Sequence, residues 1–80
     1  MLLETFHKLT INDQAIAVNN GTFLGDVIEN GLVVQLFAVD NFYVDRYYDP
    51  LANRILRFRG FNEQSQLMPY LEHVRFNPGD

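Results

Sequence analysis

The chain has 80 residues and no cysteine; it is 48% hydrophobic, 14% aromatic and 20% charged, with a net charge of −4. A chain this short is one domain at the lower limit of what a single core can hold, since it buries only about 60% of its unfolded surface. It is too apolar for disorder and too often interrupted for a membrane span, and without cysteine it has no disulfides, thiolate chemistry or Cys-ligated zinc.

Leu2, Phe6 and Leu9 fall at i, i+4 and i+7 with Leu3 beside them, which predicts a short amphipathic helix over 2–9 that needs a sheet to pack on. Thr10 or Asn12 can cap a second helix through 13–19, closed by Gly21 in the left-handed conformation. The alternative is a strand over 14–19 turning at Asn20-Gly21; Ala15, Ile16 and Ala17 favour the helix. Turn signals then recur at Asn30-Gly31, Asp40-Asn41 and Asp49-Pro50, spaced by nearly ten residues. Such pairs accept the positive φ of tight hairpin turns, so the runs 22–29, 32–39, 42–48 and 54–59 read as four strands of an antiparallel meander. Beyond Gly60, Leu67, Leu71 and Val74 share a stripe, which predicts a C-terminal helix within 62–74, with Ser65 or Gln66 as the cap that keeps Pro69 in the first turn. The tail 77–80 is expected to fray. The expected fold is therefore α+β: one domain over 1–80, a four-stranded antiparallel β-meander with short N-terminal helices and one C-terminal helix packed on one face.

Two-residue turns set a register, and the register sorts side chains onto faces. One face should carry Phe23, Val27, Val34, Leu36, Ala38, Tyr43, Tyr47 and Ile55 with Asp45, Arg57 and Arg59; a five-residue loop over 49–53 would set Tyr47 against Ile55 and Asp45 against Arg57. The other should carry Leu24, Ile28, Val33, Phe37, Val39, Phe42, Val44, Leu56 and Phe58 above a polar row of Asp26, Gln35, Arg46 and Arg54. Both faces are largely apolar, whereas a sheet with one solvated side should alternate cleanly. A few short helices cover one face, and the more apolar Phe37/Phe42/Val44/Phe58 side is the one they should take. That leaves Tyr43, Asp45, Tyr47, Ile55, Arg57 and Arg59 as an expected interaction surface, since tyrosine and arginine join large contact area to a polar handle.

The function classes narrow accordingly. The first expectation is a non-enzymatic protein-interaction module, a homodimer through the tyrosine-bearing face or a complex with another protein. The second is a small-ligand site or minor enzyme built from Asp26, Gln35, Arg46 and Tyr48 between helices and sheet. The third is a weak single-stranded nucleic-acid platform of tyrosines and arginines; it is disfavoured because all five arginines lie after residue 45 in an acidic domain and no RNP-type motif occurs. His7 and His73 lack metal-site spacing, and the five glycines form no phosphate loop, so neither a metal nor a cofactor is expected. The opening residues lack a basic stretch followed by an apolar one, so a cytoplasmic protein with no membrane partner is expected.

Overall fold

The computed structural model describes residues 1–62. Helices α1 (Leu3–Lys8) and α2 (Ile11–Asn19) precede strands β1 (Thr22–Glu29), β2 (Leu32–Val39), β3 (Phe42–Asp49) and β4 (Arg54–Phe61). The strands form one antiparallel sheet in the order β1-β2-β3-β4, so the described part is an α+β fold built on a meander. The helix expected within 62–74 and the tail 77–80 lie outside the described residues. No helix among the described residues is long and apolar enough to cross a membrane.

Local chemistry explains the helices and where they stop. Glu4 in the first turn of α1 and His7 and Lys8 in its last complement the helix dipole. Thr10 is extended and its hydroxyl accepts the Asp13 N–H at 3.2 Å, capping α2 two residues earlier than a helix over 13–19 would start. Gln14 reaches back and donates from Nε2 to the Phe6 carbonyl at 3.1 Å, joining the two helices.

The end of α2 departs from expectation. Asn20 closes the helix in a right-handed conformation, with its N–H bonded to the Ile16 carbonyl and the Gly21 N–H to that of Val18. Gly21 has no positive φ; among the described glycines only Gly31 does. What Gly21 supplies is room. A Cβ there would lie 2.5 Å from the Ala38 carbonyl oxygen and 3.2 Å from that of Val18, so the chain passes from helix to sheet against bare backbone.

The hairpin from β1 to β2 turns through Asn30 (φ 53) and Gly31 (φ 80), both central residues positive as a type I′ turn requires. Asp40 (φ 50) and Asn53 (φ 53) carry the left-handed residue in the other two connections.

Two irregularities decide which side chains share a face. In β1 the register shifts between Phe23 and Gly25, so Phe23 pairs with Phe37 on the helix side and Leu24 turns toward Val27, Val34 and Leu36. This reverses the expected placement of Phe23 and Leu24. In the last hairpin Asp49 pairs with Arg54, one residue further along β3 than expected, and a second shift follows between Tyr47 and Tyr48. Tyr48 therefore faces Ile55, whereas Tyr47 faces Arg57 and Asp45 faces Arg59. The two one-residue slips cancel in parity beyond Leu56, which keeps Arg57 and Arg59 on the tyrosine-bearing face and moves Ile55 to the other.

Each face holds its own buried cluster. On the helix side Phe6 and Val18 pack on Phe37, Val39, Phe42 and Val44, with Leu3, Leu9, Ala17 and Phe58 around them. The Phe6 and Phe42 rings meet at 5.5 Å between centroids. On the opposite side Val27, Val34, Leu36 and Phe61 form the second cluster, bordered by Leu24, Tyr43 and Tyr47. The face expected to be open thus carries side chains as hidden as Leu36, at 0% exposure.

Candidate interaction surface

On the helix side, cross-strand partners line up in rows, because directly opposed residues point the same way. Phe23, Phe37, Val44 and Gly60 form one row. Both helices lie at that end of the sheet: His7 Nε2 is 3.2 Å from the Gly60 carbonyl oxygen, and a Cβ at Gly60 would meet Leu3 Cδ1 at 2.6 Å. The next row is Asp26, Gln35, Arg46 and Phe58, and the one beyond is Ile28, Val33, Tyr48 and Ile55.

Arg46 marks where the helix layer ends. Its Nε donates to Gln35 Oε1 at 2.8 Å and Nη1 to Asn19 Oδ1 at 3.4 Å, while the guanidinium lies 4.7 Å over the Phe37 ring. Burial pulls its pKa below the ordinary value for arginine. Hydrogen bonds to the sheet and to the last residue of α2, together with the ring contact, compensate for that desolvation. Of the residues expected to converge on a polar pocket, only Gln35 and Arg46 bond to each other. Tyr48 donates its hydroxyl to Asn53 Oδ1 at 2.6 Å, and Asp26 is exposed at the β1 edge.

Past Arg46 the apolar row is left without a helix over it. Ile28 is 75% exposed, Val33, Tyr48 and Ile55 are half-buried, and Leu56 and Leu51 are exposed beside them. The sequence assigned Ile28 and Val33 to this face but took the helices to cover all of it. Lengths were the available signal: six- and nine-residue helices run about 9 and 13 Å, against about 26 Å for eight-residue strands.

The residues expected to form the exposed surface are arranged otherwise. Asp45 is 2% exposed, and its Oδ2 accepts from Arg59 Nε at 3.1 Å and Nη2 at 2.5 Å. Burial works to lower the Arg59 pKa, but the Asp45 hydrogen bond and charge outweigh it and raise the value. Arg57 stacks over Tyr47 at 4.2 Å, Arg59 over Phe61 at 5.0 Å, and Tyr43 meets Phe61 with ring centroids 5.7 Å apart. Tyr43, Asp45, Tyr47, Arg57 and Arg59 come together as a tied set on one face, and Ile55 sits on the other. Among the described residues no three His, Asp or Glu side chains gather as a metal-binding group. No protein-family model, no curated protein and no solved structure matches this chain.

Proposed function

We propose that the chain is a non-enzymatic interaction module that forms a homodimer through the uncovered end of its helix-side sheet face. The observation that carries this reading is Ile28, 75% exposed at the head of an apolar row that continues through Val33, Tyr48 and Ile55 across all four strands. A two-fold interface must be complementary to itself, and an apolar row meets that requirement against a second copy. Charge favours the same pairing: Asp26 and Glu29 flank the row at the β1 edge and Arg54 flanks it at the β4 edge. A two-fold axis along the strands lays β1 of one copy over β4 of the other and brings these opposite charges together. The ligand-site reading is weaker, because the hydrogen bonds of Gln35, Arg46 and Tyr48 are directed at protein partners.

Sedimentation equilibrium over micromolar concentrations tests the proposal. The wild-type chain should be dimeric and Ile28→Asp monomeric with an unchanged far-UV spectrum, since Ile28 makes little of the fold. A wild-type monomer throughout that range, or an Ile28→Asp variant that still dimerises, refutes it.

A further inference from the structure

We infer that residues 63–80 of the same chain lie across the tyrosine-bearing face, making the domain three layers with the sheet in the middle. This goes beyond the proposed dimer, which uses the opposite face. Leu36 is 0% and Val34 2% exposed, on a face that neither helix touches. Side chains stand roughly perpendicular to a sheet, so neighbours on the same face wall a central leucine without roofing it. The taller neighbours Tyr43 and Tyr47 are themselves mostly hidden, which they would not be as the outermost layer.

The remaining chain suits that position. β4 ends at Phe61, whose ring packs into this cluster beside Tyr43, so the chain leaves the sheet at the face in question. Leu67, Leu71 and Val74 follow at helical spacing. Thirteen residues in a helix would run about 20 Å, against about 14 Å between the outer strands of a four-stranded sheet. Arg57 and Arg59 lie on the face, and residues 63–80 bring Glu63 and Glu72. A segment tethered at Phe61 also meets its site at an effective concentration a separate molecule does not reach.

Methyl NOE spectroscopy on the full chain tests this without altering it. Contacts are expected from Leu67, Leu71 or Val74 to the methyls of Val34 or Leu36 or the rings of Tyr43 or Tyr47. Mixed-label samples should place them within one chain, and they should persist in Ile28→Asp, which separates this inference from the dimer. No such contacts, or contacts only between chains, would overturn it. In the full chain, Leu71→Asp should also lower Tm by about 10 °C or more, while Leu51→Asp, at a 97% exposed site, leaves it unchanged. Equal Tm values for the two variants would count equally against the inference.

Discussion

Gly21→Ala probes the junction on which the seating of both helices depends. The added methyl would stand 2.5 Å from the Ala38 carbonyl oxygen and 3.0 Å from Val39 Cγ2, and two of its three nearest neighbours are backbone. Backbone cannot rotate aside, so the start of β1 must retreat from β2 by about 0.9 Å to regain ordinary contact. That shift lifts Val18 from the Phe37/Val39/Phe42 cluster, and overpacking of this kind costs about 3 kcal/mol, or about 10–20 °C in Tm for a domain of this size. Gly60→Ala is the control: its closest contact is Leu3 Cδ1 at 2.6 Å, the end of a side chain that can turn, and the expected cost is about 1 kcal/mol. Gly21→Asn separates the structural reason from the one the sequence suggested. Asn tolerates the left-handed conformation, so a left-handed cap would accept it, whereas a close approach rejects it as firmly as alanine. Urea denaturation followed by circular dichroism reads all three. A Gly21→Ala cost no greater than that of Gly60→Ala, or a stable Gly21→Asn, would refute the reasoning.

Further outcomes follow from individual contacts. A double-mutant cycle of Asp45→Asn and Arg59→Met should give a coupling of about 2 kcal/mol that survives 0.5 M salt, because Asp45 is buried; a coupling under about 0.5 kcal/mol refutes a specific pair. Arg46→Ala should cost about 2 kcal/mol through two hydrogen bonds and the Phe37 contact, and Tyr48→Phe about 0.5 kcal/mol through its exposed bond to Asn53. Equal costs in thermal denaturation would mean that Arg46 does not hold the edge of the helix layer. Thr10→Ala should lose about 1 kcal/mol with the cap on Asp13, and an unchanged Tm would show the cap to be inert.

The strands were legible because their signals are local. Alternating β-branched and aromatic residues bounded by Asn-Gly, Asp-Asn and Asp-Pro state both the elements and their order, and the turn residues read as left-handed at 30, 31 and 40 are left-handed in the fold. The second helix was legible for a similar reason, since Thr10 and the Ala15–Ala17 run agree on it. Gly21 was misread because a left-handed cap and a close approach both ask for glycine. Only the position of Ala38, seventeen residues on, tells them apart.

The candidate surface was only half legible. Turn types fixed the parity of β2 and β3, so Tyr43, Asp45 and Tyr47 fell on one face as expected. Bulges carry no comparable mark: the shift after Phe23 and the one opposite Tyr47/Tyr48 arise where strand twist and packing on both faces must be reconciled, and they carried Phe23 and Ile55 to the helix side. By itself the sequence determined a meander with two apolar faces, because periodicity and turn chemistry act within a few residues. Tertiary structure decided which apolar residues stay in water, because that depends on how far two short helices reach: they stop at Arg46, and Ile28, Val33, Tyr48 and Ile55 lie beyond it.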